Sequence, residues 1–263
     1  MKVDADAKAG NRYRIEALAK GLDVLRLFDE TVTELKLRDI SDRTGIPMPT
    51  AFRVVATLEE GGFLERSDDG VIRPGVAVLT LGSAALRGSS LVQVSEQPLR
   101  RLAETTGETV NMGVLIGDEV LYLVRLRNSD LVTANVQVGS TLPAPVTSMG
   151  KLLLAYLPED ELAEVLAGYD FTRAVGPNAA RSAADLAPAL EGIRSDGFAL
   201  QDQEVAAGLR SVSVPVFGRG GLPAAAINIA VAANRHTVEE LRGPLLDALR
   251  ATADDISVRL RAL

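Results

Sequence analysis

Thr50, Arg53 and Thr57 are spaced so that a single helix would carry all three on one face. Positions three or four residues apart lie on the same side of a helix. The opposite side of this segment is apolar and consists of Ala51, Val54, Val55 and Leu58. Burial of that apolar stripe would turn two hydroxyls and a guanidinium into solvent. Such groups bind DNA phosphates and base edges, so we predict a DNA recognition helix here.

The residues around this helix follow the order of a winged helix-turn-helix over residues 37–66. A short polar helix is predicted to end at Gly45, which suits the left-handed backbone of a tight turn. The recognition helix is predicted to begin at Pro49, whose missing N–H costs nothing at the first helical position. It should end at the glycine pair 61–62, and its apolar stripe should pack on Ile40 of the preceding helix.

A β-hairpin is predicted to follow the recognition helix. Short strands at 63–66 and 71–73 flank a turn that ends in Asp-Gly, which is a hairpin signal. The hairpin would be the wing, and its arginines lie where contacts with phosphate are useful. The DNA-contacting residues that we predict across the whole region are Arg14, Arg43, Met48, Pro49, Thr50, Arg53, Thr57, Arg66 and Arg73.

The charge balance gives no separate support for DNA binding. Residues 1–80 hold 12 lysines and arginines against 14 aspartates and glutamates, a net charge of −2, and the full chain has a net charge of −7. Nucleic-acid-binding domains typically carry a basic surface. A winged helix that binds another protein, or a three-helix bundle with a hairpin, therefore remains an alternative at this point.

Side chains for a catalytic reaction are poorly represented. The chain has no cysteine, which removes thiolate nucleophiles, thiolate metal sites and disulfides. Its one histidine, His236, is expected to be a surface or capping residue, and the loop acids Asp202 and Glu204 are expected to be solvated. The Gly150-Lys151 pair lacks the other residues of a phosphate-binding loop. We predict no catalytic residue, metal site or cofactor, and the alternative is a small-acid-binding or hydrolytic enzyme with an incidental winged helix.

A helix start near residue 148 offers a binding chemistry without a reaction. A loop stiffened by Pro143 and Pro145 leads into a helix for which Thr147 or Ser148 would be the N-cap. Free backbone N–H groups at such a start favour a carboxylate or a phosphate. An ordinary capped helix has the same sequence features, and the residues alone do not separate the two.

Length and composition predict two domains in a cytoplasmic protein. At 263 residues, with 47% hydrophobic and 24% charged residues, the chain exceeds one typical domain and has an ordinary globular composition. It shows neither a signal peptide nor an apolar run long enough to span a membrane. Helices are predicted at 15–30, 75–87, 91–106, 148–157, 159–166, 184–196 and 238–261, and strands at 109–116, 120–127, 131–138, 211–217 and 224–231. Strands in two groups among helices indicate an α+β domain with a largely antiparallel sheet.

Five motifs occur in an order that resembles the IclR family of bacterial transcriptional regulators. They are residues 19–25, the helix-turn-helix with Arg53, and residues 107–111, 142–151 and 208–211. The resemblance covers residues 14–261. It implies a flexible segment 1–13, an N-terminal winged helix-turn-helix domain at 14–74, a linker helix at 75–90 and a C-terminal GAF-like α/β effector-binding domain at 91–263. It also implies a homodimer or dimer of dimers that binds a palindromic double-stranded DNA operator and regulates catabolic genes.

The resemblance further implies an effector pocket, carried over motif by motif. Its residues are Leu131, Ala134, Leu142, Thr147, Ser148, Met149, Gln201, Leu209, Ser211, Asn228 and Ala230. Backbone amides at the helix start, with serine and asparagine side chains, would hold a carboxylate, and leucines and Met149 would cover its apolar part. The motifs are most similar to the branch that senses protocatechuate and p-hydroxybenzoate, which favours a small carboxylate such as an aromatic acid. Gln201 stands where family members can carry an acid, and Pro49 where a serine often begins the recognition helix.

Overall fold

The computed structural model describes residues 14–29, 31–127, 136–173 and 176–263. The chain divides into two compact units, which meet in the sequence between Leu86 and Arg87. The predicted segment 1–13 and most of the strand predicted at 131–138 lie outside the described residues. Within the described ranges, no helix is both long enough and apolar enough to cross a membrane.

The first unit is built from short helices and a three-stranded sheet. Its elements, of which the last runs just past the end of the unit, are α1 Glu16–Leu25, β1 Leu35–Lys36, α2 Leu37–Thr44, α3 Met48–Glu60, β2 Leu64–Arg66, β3 Val71–Pro74 and α4 Val76–Gly88. The strand order is β1-β3-β2, and both pairs are antiparallel. The predicted hairpin is therefore present, and β1, which is too short to show a periodicity, adds a third strand to it.

The apolar stripe of α3 packs in the core of the first unit, as predicted. The members of this core from α2 and α3 are Ile40, Ala51, Val54, Val55 and Leu58. Gly45 has a φ of 68°, which is the left-handed conformation expected for the turn between the two helices. Helix α3 begins at Met48, one residue earlier than predicted, so Pro49 is its second residue. The N–H of that position also has no partner inside a helix, so proline is tolerated there as well.

Helix α1 is shorter than predicted, and part of its apolar side is exposed. It ends at Leu25, and the carboxylate of Asp29 accepts the backbone N–H groups of Thr31 and Val32. Leu18 and Leu22, which lie on its apolar side, are 60% and 46% exposed, whereas Val24 is buried. The periodicity of leucines identifies an apolar face but does not say what covers it.

The second unit is a sheet with helices on both faces. Its elements are α5 Ser90–Thr106, β4 Thr109–Ile116, β5 Glu119–Leu126, β6 Thr141–Pro143, α6 Ser148–Ala155, α7 Glu159–Gly168, α8 Ala183–Asp196, β7 Ala199–Asp202, β8 Leu209–Phe217, β9 Pro223–Ala232, α9 Val238–Arg242 and α10 Pro244–Arg261, with 3-10 turns at Ala144–Val146 and Phe171–Arg173. The strand order is β6-β5-β4-β9-β8-β7, and every described pair is antiparallel. This arrangement agrees with the predicted α+β class.

Alternation of side chains gives the two faces of this sheet different characters. Along β4, β8 and β9, the residues on one face are valine, isoleucine and methionine, and they pack with α5 and α10. The intervening residues point to the opposite face, where α6 and α8 pack. At the centre of that second face lie the polar side chains of Asn111, Ser211 and Asn228, which are all buried.

Two predicted elements differ from the structure. Gln201 and Asp202, predicted to lie in a loop, are the last residues of β7, which pairs with β8 at the sheet edge. The helix predicted over 238–261 is interrupted at Gly243, whose backbone is not helical, and α10 starts afresh at Pro244. A proline cannot donate the N–H that a continuous helix would need at that point.

Gly150 generates a stability prediction, because α6 starts in contact with the preceding turn. A Cβ on Gly150 would lie 2.2 Å from the carbonyl oxygen of Ala144, whereas a Cβ on Gly192 in α8 meets nothing within 4 Å. Gly150→Ala should therefore lower the free energy of unfolding by about 1–3 kcal/mol. Gly192→Ala is the matched control and should be neutral or raise it by up to about 1 kcal/mol. Urea unfolding followed by circular dichroism measures both, and equal effects would contradict the close contact.

Candidate functional site

The predicted recognition face of α3 offers one uncommitted cationic side chain. Arg53 is exposed, and neither it nor the exposed Arg43 of α2 makes an ion pair or side-chain hydrogen bond with another described residue. Thr57 donates its hydroxyl to the backbone carbonyl of Arg53 at 2.9 Å, and Thr50 is half-buried. Met48 and Pro49 are exposed at the helix start. Arg53 is therefore the member of the predicted polar stripe that is best placed to reach a ligand.

The arginines of the wing are already paired with carboxylates. Arg66 donates to Glu59 at 2.7 Å and lies over the ring of Phe52, with 5.8 Å from Cζ to the ring centroid. Arg73 donates to Glu34 at 2.7 and 3.1 Å. The Arg73 pair is exposed and contributes at most about 1 kcal/mol, so a phosphate could replace its carboxylate at little cost. The side chains of Arg66 and Glu59 are only 29% and 24% exposed. Arg14, the remaining predicted cation, lies 3.5 Å from Glu16 in another exposed pair.

The second unit contains a cavity of about 500 Å³ on the polar face of its sheet. Its described lining consists of Asn111, Tyr122, Arg125, Val136, Leu142, Thr147, Val205, Ala206, Ala207, Gly208, Leu209, Ser211, Asn228, Ala230, Ala232, Asn234 and Arg235. The charged members are Arg125 and Arg235, and no aspartate or glutamate is among these residues. The described lining of the cavity therefore includes two cationic side chains, which suits an anion.

Arg125 brings its charge into a partly buried position. It lies on β5 opposite Asn111 of β4, and its Nη1 donates to Asn111 Oδ1 at 3.0 Å. Burial lowers the pKa of the Arg125 guanidinium below its ordinary value, yet an arginine remains protonated in proteins. Arg235 lies 3.7 Å from the buried carboxylate of Glu108. Arg125 therefore stays charged at neutral pH.

A row of buried polar side chains continues from Arg125 across the sheet. Asn111 Nδ2 donates to Asn228 Oδ1 at 2.8 Å, and Asn228 Nδ2 donates to Ser148 Oγ at 3.5 Å. The hydroxyls of Ser148 and Ser211 are 2.8 Å apart, and Ser211 Oγ donates to Gln201 Oε1 at 3.4 Å. These contacts bring residues from four strands and the start of α6 into one network.

The structure brings most of the predicted pocket residues together. Those that line the cavity are Leu142, Thr147, Leu209, Ser211, Asn228 and Ala230. Ser148 and Gln201 are buried behind the lining and reach it through Ser211, while Met149 is buried in the apolar core around α6. Leu131 and Ala134 lie outside the described residues. Thr147 is the N-cap of α6 and accepts the N–H of Gly150 at 2.9 Å.

Several cavity residues were not predicted from the sequence. They are Asn111, Tyr122, Arg125, Val136, Ala232, Asn234, Arg235 and the loop residues 205–208. A signal for two of them was present, because Asn111 and Arg125 interrupt otherwise apolar strands. A polar residue within a buried strand needs a partner, and that requirement points to a site.

The expectation of a solvated loop acid was wrong for Glu204, whereas the Asp202 side chain is 39% exposed. Glu204 is largely buried and accepts from Lys151 Nζ at 2.5 and 2.7 Å, and Asp202 accepts from Arg210 Nε at 2.7 Å. Burial raises the pKa of the Glu204 carboxyl, and the Lys151 ammonium opposes that rise. Their partners come from distant positions in the chain, which local sequence does not reveal.

The single histidine is half-buried and is not the cap of a helix. His236 Nε2 lies 2.9 Å from the buried Glu108 carboxylate, and the cap of α9 is Thr237. Within the part of the chain that the structure describes, no group of three or more potential metal ligands is found.

Comparisons with known proteins match both units. A model described as the IclR helix-turn-helix domain matches residues 17–68, and one described as the C-terminal domain of bacterial IclR transcriptional regulators matches residues 83–258. The Pca regulon regulatory protein of Pseudomonas putida is 35% identical over 256 residues, which cover 97% of this chain and 87% of that protein.

Solved structures give the same result. A transcriptional regulator from Rhodococcus sp. RHA1 is 36% identical with a TM-score of 0.74, covering 95% of this chain and 99% of that one. An IclR homologue from Microbacterium hydrocarbonoxydans, complexed with 4-hydroxybenzoate, is 30% identical with a TM-score of 0.75, covering 94% of this chain and all of that one.

The Lys151–Glu204 pair generates a prediction about pH. Lys151→Met should lower the free energy of unfolding by about 3–5 kcal/mol at pH 8, because it leaves a buried carboxylate unpaired. The pKa of Glu204 in the folded protein is raised above the ordinary 4.5. Protonation of Glu204 therefore stabilises the folded state, and this stabilisation is lost as the pH rises through the folded pKa. Urea unfolding at pH 5 and pH 8 should show the larger loss at pH 8. In the double variant Lys151→Met/Glu204→Gln, the loss of unfolding free energy should be the same at pH 5 and pH 8. Equal losses at the two pH values in Lys151→Met alone would contradict the prediction.

Proposed function

The chain belongs to the IclR family of bacterial transcriptional regulators, and on that premise we propose that a small carboxylate, such as an aromatic acid, controls its binding to operators of catabolic genes. Family membership makes it a DNA-binding regulator with an effector-binding C-terminal domain, rather than an enzyme. We propose in addition the class of acid, the type of target genes and the residues that contact each ligand. We place this regulator in the cytoplasm.

The charge of the cavity carries the proposal for a carboxylate. Its described lining has two arginines and no acid, and the planar guanidinium of an arginine matches a carboxylate with two parallel hydrogen bonds. A volume of about 500 Å³ is in the range of small-ligand sites. Tyr122, Leu142 and Leu209 would cover an apolar or aromatic body, while Ser211 and Asn228 supply hydrogen bonds to polar substituents.

The names of two relatives agree with an aromatic acid. One is the regulator of a Pca regulon, and the other was crystallised with 4-hydroxybenzoate. Identities of 35% and 30% leave room for a different acid in this chain, so 4-hydroxybenzoate serves as a first probe rather than as the assigned effector.

We propose domain borders at 14–74, 75–90 and 91–263, with the middle segment as a linker that also joins two subunits. Helix α4 occupies most of that segment and has no buried residue. Its Val76, Leu79 and Leu81 are 69%, 75% and 62% exposed, which favours burial against a second copy. A two-fold dimer, alone or paired into a tetramer, matches a palindromic operator. Sedimentation velocity tests this assembly, and the mass of a single chain would contradict it.

For DNA binding, Arg53→Ala should weaken binding to the promoter beside the protein's own gene. Loss of one base contact costs about 1–3 kcal/mol, which is roughly a 5- to 150-fold rise in Kd. Arg38→Ala is the control, since it removes the same charge from an exposed position on α2 where Arg38 pairs with Asp42. Footprinting locates the operator, and mobility shifts at fixed salt give the affinities. Equal losses for both variants would remove Arg53 from the recognition surface.

For the effector, Arg125→Met should abolish binding of 4-hydroxybenzoate while preserving the length of the side chain. A ligand at 100 times its Kd stabilises the folded protein by about 2.7 kcal/mol, so a thermal shift is the measurement. Arg127→Met is the control, because Arg127 is exposed two residues away and outside the cavity lining. A shift that survives Arg125→Met, or that neutral 4-hydroxybenzamide produces equally, would refute the role of Arg125.

A further inference from the structure

The buried polar row in the effector cavity has a fixed direction. Arg125 can only donate hydrogen bonds, so the atom of Asn111 that faces it must be the acceptor Oδ1. Asn111 therefore presents its NH2 group to Asn228, which must receive it with Oδ1. Asn228 in turn has only its NH2 group left for Ser148. The chemistry of one guanidinium thus sets the direction of the whole row.

The same direction continues through the two hydroxyls to Gln201. A hydroxyl that accepts one hydrogen bond donates its single hydrogen onwards, so Ser148 donates to Ser211 and Ser211 donates to Gln201 Oε1. Every link then has one donor and one acceptor. At the far end of the row, Gln201 Nε2 is buried and has no hydrogen-bond partner among the described residues. Because Arg125 fixes the direction of every link, the donor without an acceptor lies at the far end of the row, on β7.

An unpaired donor in this position has a free-energy cost. Buried N–H groups without an acceptor lose their hydration and gain nothing in return. Rotation of the Gln201 amide alone would give Nε2 an acceptor in Ser211 Oγ, but it would take away the acceptor of the Ser211 hydrogen. Reversal of all the links from Asn111 to Gln201 gives both donors an acceptor.

We propose that a carboxylate bound to Arg125 reverses this row, and that Gln201 is the positioning residue that makes the reversal favourable. The inference rests on the proposed function for the nature of the ligand. With its acceptor supplied by the carboxylate, Arg125 no longer requires Asn111 Oδ1. Rotation of three amides and two hydroxyls then reverses each link, without any proton transfer and with little change of side-chain shape.

The reversed row pairs Gln201 Nε2 and leaves the Gln201 carbonyl Oε1 in the position without a partner, which buried carbonyls tolerate better than buried N–H groups do. Gln201 Nε2 donates to Ser211, Ser211 to Ser148, and Ser148 to Asn228 Oδ1. Asn228 Nδ2 then donates to Asn111 Oδ1, and Asn111 Nδ2 joins Arg125 in donating to the carboxylate. The ligand gains a second donor at one end, and the amide of Gln201 gains an acceptor at the other. Occupancy of the cavity is thereby transmitted from β5 to the edge strand β7.

The first experiment needs no ligand. The protein is labelled with ¹⁵N in the side-chain amides of its five glutamines, and a proton–nitrogen correlation spectrum is recorded. The signal that is missing from the spectrum of Gln201→Met belongs to Gln201. Arg125→Met removes the group that fixes the direction, so the row should reverse and an amide proton of Gln201 should move downfield as it gains an acceptor. Arg127→Met should leave the signal in place.

The second experiment adds 4-hydroxybenzoate to the native protein and to Gln201→Glu. In the native protein, the Gln201 signal should move as it does in Arg125→Met. An ionised glutamate has no hydrogen to donate and cannot end the reversed row, so its affinity for the acid should be about tenfold lower, or about 1.4 kcal/mol. Gln97→Glu, at an exposed position on α5, should bind like the native protein.

The outcomes separate this inference from the proposed function. An unmoved Gln201 signal in Arg125→Met, or undiminished affinity in Gln201→Glu, would overturn the reversal even if the acid binds. Absence of any thermal shift with small carboxylates would instead overturn the proposed function, and the ligand-free spectra would still decide whether Arg125 sets the direction of the row.

Discussion

Alternation of side chains along β4, β8 and β9 is the constraint on which the second unit depends. One face of the sheet is apolar throughout and closes against α5 and α10. The other face combines apolar ends with a polar centre, and it cannot close completely without leaving asparagine and serine groups unpaired. The network from Arg125 to Gln201 satisfies nearly all of them, and the space that remains beside it is the cavity. A single periodicity therefore produces both the hydrophobic core and the binding site.

In the first unit, the electrostatics are organised locally rather than by net charge. The acids that cancel the basic residues are not spread evenly, since Glu59 and Glu34 hold the wing arginines while Arg43 and Arg53 remain uncommitted among the described residues. A domain with a net charge of −2 can thus expose cations where a phosphate would approach. Total charge is a poor guide to DNA binding when exposed pairs exchange partners at little cost.

The sequence predicted those features whose cause is local. The stripe of α3, the left-handed Gly45 and the hairpin all follow from periodicity or turn chemistry, and all are present. Strands β1, β6 and β7 were missed because two to four residues are too few to establish an alternation. Arg125 and the pairing of Lys151 with Glu204 were missed for another reason. Their significance depends on partners 14 and 53 positions away, which only the fold brings together.

Four consecutive residues at the start of α6 are each held by a different neighbour. Ser148 takes part in the polar network, Met149 fills the apolar core, Gly150 touches the preceding turn, and Lys151 is paired with Glu204. None can be exchanged without disturbing a separate contact, so we expect this segment, which lies behind the cavity lining, to tolerate few substitutions. Ligand preference can instead change in the walls of the cavity, in the loop 205–208 and around Tyr122. A biosensor retuned for a new acid would therefore begin from a library confined to those walls.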